Sequence, residues 1–284
     1  MFFFQRFAVF IAAFLIFAET VAAGPWPRKQ GSGFIQLGFS TIGYNKIYND
    51  RAEKAPVFAD VRDNVLQAFA DVGVTDLLTV TASIPFKFLS VAPLQSTLAP
   101  VTSRLTSSGP GDIDLTARYN LLTENGYAAS CGLRVGIPSG DSKKANGLIL
   151  GDGEFNVAPV LLFGRSFYPE PAYITADVAF NFRGSAFSNE LLYNVELGYG
   201  LFESRLYVIL MLSGKESTSS VPSKFVAASV YGLSTNNQEY TAIVPKLLYK
   251  ASEHLGVSIS FATATHGRNI AGGFVFAGGV FHEF

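Results

Sequence analysis

The residues of this chain that could do chemistry are charged side chains set at a spacing of two. In the segment DIDLTARYNLL, Asp112, Asp114 and Arg118 share one face, and Ile113, Leu115, Ala117, Tyr119 and Leu121 share the other. The same alternation sets Arg134, Asp177, Arg183, Glu196, Arg205 and Lys246, with Asp71 and Lys87, opposite apolar partners in other segments. A mixed set of this kind suits ion pairing and the orientation of a small solute. It does not form a catalytic constellation. The three histidines, His254, His266 and His282, are scattered. His266 beside Ser220, Ser223 or Ser229 is the one hydrolytic arrangement to consider, and nothing in ATATHGRNI marks it. Gly151-Asp152-Gly153-Glu154 lacks the ligand count of a calcium loop and reads as a turn. Cys131 is the single cysteine, so no disulfide and no cysteine-based metal cluster forms within the chain. No cofactor and no enzyme activity are expected.

These residues need strands to position them. Period-two alternation puts successive side chains on opposite faces. Twelve candidate strands follow, near 33–44, 62–73, 76–90, 111–122, 127–138, 153–166, 172–184, 189–201, 204–215, 239–250, 255–266 and 271–284. Most exceed the 5–6 residues or so usual in soluble strands and match the roughly 9–11 needed to cross a bilayer core. The connections alternate in length. Residues 123–126, 168–171 and 251–254 are short links, whereas 45–61, 91–110, 139–152 and 216–238 are long ones. Short turns on one side and long loops on the other are the habit of outer-membrane barrels. The fold class is therefore all-β, a membrane-spanning antiparallel up-and-down barrel of twelve strands. Loops 91–110 and 216–238 are the candidates to plug it.

Composition agrees. Charged residues make up 15% and hydrophobic ones 49% of the 284 residues, and the formal net charge is −1. That balance offers no field for nucleic acid. Residues 1–23 read as a cleaved signal peptide: Arg6 is the basic start, Ala8–Ala18 the apolar run, and Val21-Ala22-Ala23 the small residues before the cut. Residues 24–284 are then the barrel. The tail alternates Phe274, Phe276, Gly278, Val280, His282 and ends at Phe284. A terminal aromatic of this kind is what the outer-membrane assembly machinery reads, with His282 a departure from the usual tail.

An apolar outer face would meet outer-membrane lipid, where an Arg or Lys at the midplane costs about 2–4 kcal/mol. The charged residues above must then line the lumen. Six are basic and five acidic once Asp71 and Lys87 are included, so the lumen is near neutral. Asp112 or Asp114 is expected to pair with Arg118 or Arg134 through the TENG hairpin.

At Gly111-Asp112, Tyr119 and Ile137-Pro138-Ser139-Gly140, and more loosely from Gly33 to Pro85, the sequence resembles the phenol-degradation meta-pathway family of outer-membrane proteins. The resemblance implies a barrel in the cell outer membrane that admits a small hydrophobic or aromatic solute. It supplies no catalytic or binding residue. The alternatives are a barrel-embedded lipid or lipopolysaccharide hydrolase and a closed structural barrel without a pore.

Overall fold

The computed structural model describes residues 24–93, 103–144, 146–184, 187–219 and 236–284, without the side chain of Phe58. Residues 1–23, expected to be a signal peptide, most of loop 216–238 and part of loop 91–110 lie outside them. Each regular element among the described residues is a strand. In chain order these are β1 (Gly33–Tyr48), β2 (Lys54–Gly73), β3 (Leu78–Val91), β4 (Leu105–Pro110), β5 (Ile113–Glu124), β6 (Tyr127–Ile137) and β7 (Asn156–Ser166). They continue as β8 (Ala172–Asn181), β9 (Glu190–Leu201), β10 (Leu206–Ser217), β11 (Glu239–Lys250), β12 (Leu255–Arg268), β13 (Ile270–Ala271) and β14 (Val275–Glu283).

All pairings are antiparallel and mostly sequential, and β1 bonds to both β2 and β14, which closes the sheet. Two staves are broken. β3 pairs β5 along Leu78–Ser83 and β4 along Phe86–Val91, so β4 and β5 lie end to end. β13 and β14 likewise share β1. The result is a closed antiparallel barrel of twelve staves. Closure leaves no open edge, as a strand structure in lipid requires.

The alternation decides the facing. Leu37 is 57% exposed, Phe163 54% and Val280 58%, all on the outer wall. Gln36, Gln67, Arg118, Thr175, Glu196 and Lys246 alternate with such residues and are buried inside. Tyr127, Phe167, Tyr168, Phe202 and Tyr249 are exposed near the short-turn rim, where amphipathic rings suit a membrane interface. Arg165 stacks over Tyr127 and Phe167 there. Phe284 is paired into the wall: its N–H donates to Gly33 O at 3.0 Å, and its carbonyl accepts from Gly33 N at 2.8 Å.

Four expectations about connections need correction. Segment 45–61 is mostly strand, because β1 and β2 run on to a turn at 49–53, where Asn49 Oδ1 accepts from the N–H groups of Arg51 and Glu53. Past the apolar band a strand pair needs no apolar alternation, so the period fades before the two strands end. The strand expected at 111–122 instead starts at Ile113, after a break at Gly111-Asp112 that follows Pro110, the end of β4, which has no N–H for the ladder. The end of segment 91–110 is β4, laid along β3, rather than a plug. Segment 139–152 is not an outer loop but folds into the lumen. Leu148 and Leu150 are 0% and 2% exposed and pack with Ile42, Val61, Leu89, Val244 and Val275 on the far wall.

Candidate solute pathway through the lumen

Three layers fill the lumen. At the short-turn rim, residues 24–30 run across it. Pro25 is fully buried, and its carbonyl accepts from Ser130 Oγ at 2.5 Å and Asn120 Nδ2 at 3.2 Å. Trp26 meets the Tyr173 ring edge-on with centroids 6.3 Å apart. Arg28 Nε donates to Asp71 Oδ2 at 2.6 Å, and Arg28 N donates to Thr79 Oγ1 at 3.0 Å. Two glycines make the seat. A Cβ on Gly164 would stand 2.6 Å from Pro25 Cγ, and one on Gly73 would stand 2.2 Å from the Lys29 carbonyl oxygen. Beside this segment Phe34, Phe69 and Phe281 form a buried aromatic cluster.

At the other rim, segment 139–152 is pinned from below. Asp112 accepts from Gly140 N at 2.9 Å and from Asp152 N at 2.8 Å. Arg183 then joins this loop to the wall, donating to Asp152 Oδ2 at 2.6 Å and Glu190 Oε1 at 2.9 Å. Glu190 also pairs with Lys215 at 3.3 Å. Higher up, Ser188, Asn236, Asn237 and Asn269 hydrogen-bond the rim connections together, and Arg268 pairs with Glu239.

Between the layers lies a cavity of about 520 Å³. Its acidic groups are Asp63, Asp112, Asp114, Asp152, Glu190 and Glu196, and its basic groups are Lys87, Arg134, Arg183, Lys215 and Lys246. Most are held: Lys87 is 3.9 Å from Asp63, and Glu196 accepts from the Tyr173 hydroxyl at 2.7 Å. Arg134 differs. It lies within electrostatic reach of Asp114 and Asp177, yet makes no ion pair within 4 Å among the described residues. A wall with charges of both signs can orient a small solute that carries an ionisable or strongly polar group. Apolar patches adjoin it, in Val65, Leu150, Leu192, Met211 and Val244.

The structure thus places Asp112, Asp114, Arg134, Arg183, Glu196 and Lys246 on one cavity wall. Arg118 is buried below it, 3.4 Å from Asp71 rather than paired with Asp112 or Asp114. In register Arg118 stands opposite Gly132 and Asp114 opposite Gly136, so neither meets a charge directly across β5–β6. Asp177 faces inward and accepts from Asn194 Nδ2 at 2.9 Å. Arg205 does not line the lumen: it is exposed in the turn between β9 and β10, where the register that its charge suggested ends. Asp63, Asp152, Glu190 and Lys215 were not foreseen. Asp63 and Lys215 do lie on alternating faces, but Asp152 sits in a loop whose inward path no pattern shows. His266 is exposed on β12, and Ser220, Ser223 and Ser229 lie outside the described residues.

Fold and lumen together define a barrel of the outer-membrane type with a partly filled interior. No family model and no curated protein matches the chain. Among solved structures it is similar to the COG4313 outer membrane channel from Pseudomonas putida F1, with a TM-score of 0.66 and 13% identity over 92% of this chain and 98% of that one. Weaker likenesses are the KdgM porin in complex with disordered oligogalacturonate (TM-score 0.49, 10% identity, 88% and 99% covered) and the CymD monoaromatic hydrocarbon channel (TM-score 0.46, 12%, 96% and 94%). At such identities the likeness speaks to the fold. The structures named are an outer membrane channel, a porin and a hydrocarbon channel.

Proposed function

We propose that this protein is a passive channel of the outer membrane that binds and passes a small amphipathic solute. The observation that carries the reading is the 520 Å³ cavity, walled by paired and loosely held charges beside apolar patches. The resemblance at Gly111-Asp112 and Ile137-Pro138-Ser139-Gly140 to the phenol-degradation meta-pathway family favours a solute with an aromatic body. The wall adds that this body carries a polar or ionisable group. Short turns then face the periplasm and long loops the exterior. The apolar outer wall contacts outer-membrane lipid, and Phe284 is the mark for the assembly machinery. Cleavage after Ala23 leaves Gly24 as the chain end inside the lumen, with space there for seven residues of strap and its wall contacts. Mass spectrometry of the purified protein tests that cut. Liposome swelling with aromatic carboxylates, aromatic amines and neutral aromatics tests the channel; equal exclusion of all three overturns it.

One observation favours a second reading, a closed barrel without a pore. Residues 24–30 cover one end and Leu148–Leu150 press across the other. Absence of any conductance in planar bilayers would support it.

A further inference from the structure

We infer that residues 24–30 are a releasable strap that gates the short-turn mouth, and that the wall is built to stand without it. The strap touches six successive staves, half of the barrel: Asp71 and Gly73 of β2, Thr79 of β3, Asn120 of β5, Ser130 of β6, Gly164 of β7 and Tyr173 of β8. A permanent structural brace would leave its partners unsatisfied on leaving, and a buried polar group without a partner is costly. Here the charged and amide partners keep others. Asp71 retains Arg118 at 3.4 Å and the Thr81 hydroxyl at 2.7 Å. Asn120 Nδ2 retains the carbonyls of Leu122 and Ala129 and the Ser130 hydroxyl, all within 3.3 Å. Charge points the same way. With the strap in place two arginines share one carboxylate; with Arg28 gone, Asp71 and Arg118 balance. Burying a charge is tolerable only when it is paired, so the wall's own pair is the self-sufficient unit and Arg28 is the surplus partner. Water entering the vacated mouth would satisfy the Ser130 and Thr79 hydroxyls, which lose Pro25 O and Arg28 N.

The inference rests on the channel reading, and the test separates the two. Trp26 is the only tryptophan of the chain, so its acrylamide quenching reports strap position without any label. Arg28→Gln removes the ion pair. Gly164→Val evicts Pro25 and Trp26 sterically and leaves every charge in place. Pro25→Cys with Ser130→Cys, in a Cys131→Ala background, ties the strap to β6. We expect Arg28→Gln and Gly164→Val to raise Trp26 quenching at least twofold and KCl conductance in planar bilayers severalfold. The oxidised cross-link lowers conductance below the wild-type level, and dithiothreitol restores it. Unchanged quenching in both single variants, or an oxidised cross-link that conducts like its reduced form, overturns the strap and leaves the channel standing. Raised quenching with no conductance from any variant overturns the channel and leaves the strap.

Discussion

Arg28 and Arg118 both address one carboxylate, that of Asp71: Arg28 Nε reaches Oδ2 at 2.6 Å and Arg118 Nη2 reaches Oδ1 at 3.4 Å. Arg28 belongs to the segment before the first strand and Arg118 to the middle of the wall. Asp71 is therefore where the lumenal segment meets the barrel proper. The asymmetry of this triad has consequences that stability measurements can read.

Asp71→Ala removes the carboxylate 3.4 Å from Arg118, whose side chain is 3% exposed. Breaking a buried ion pair by removing one partner costs about 3–5 kcal/mol. Arg28→Ala should cost far less, because Asp71 keeps Arg118. Urea unfolding of the protein reconstituted in vesicles checks the ordering; equal losses in the two variants would contradict it.

Asp112→Ala releases the inward loop. The carboxylate holds Gly140 N and Asp152 N, and those bonds are what draw residues 139–152 toward the wall. Lys143 and Lys144 sit on this loop. Trypsin should cut the variant there several times faster than the wild type, and channel current noise should rise. Cleavage at an unaltered rate would show that Leu148 and Leu150 hold the loop alone.

Arg134→Glu changes the sign of the cavity's least restrained basic group. The cavity now has one acidic residue more than basic, six against five, and the substitution takes the balance to seven against four. Selectivity should shift toward cations, read as a change of reversal potential under a KCl gradient. Uptake of an aromatic carboxylate should fall while that of a neutral aromatic holds. A reversal potential identical to wild type would place the permeation path elsewhere.

Leu210→Arg tests the facing of the wall. Leu210 is 48% exposed in mid-strand on β10, opposite Leu197 and Pro245. Lipid exposure predicts a loss of about 2–4 kcal/mol. Met211→Arg, one residue on and facing the cavity, should cost less. The reverse order in folding titrations into lipid would invert the barrel's inside and outside.

By itself the sequence determined the barrel. A strand's period is two wherever one wall meets lipid and the other a polar lumen, so DIDLTARYNLL or the Leu191–Leu201 run shows both its type and its facing without any partner in view. Alternation also found Asp112, Asp114, Arg134, Arg183, Glu196 and Lys246, because each lies within a strand or at its end. What only the tertiary structure decided is how the lumen is filled. Asp152, Leu148, Leu150, Pro25 and Arg28 lie in irregular segments, where no period links position to facing. Their places depend on contacts across the barrel, from β6–β7 to the β1–β2 wall and from Pro25 to Ser130, 105 residues along the chain. Arg205 failed for a different reason: its charge resembled a lumen residue, but it stands in the exposed turn before β10, whose ladder with β9 begins only at Leu206.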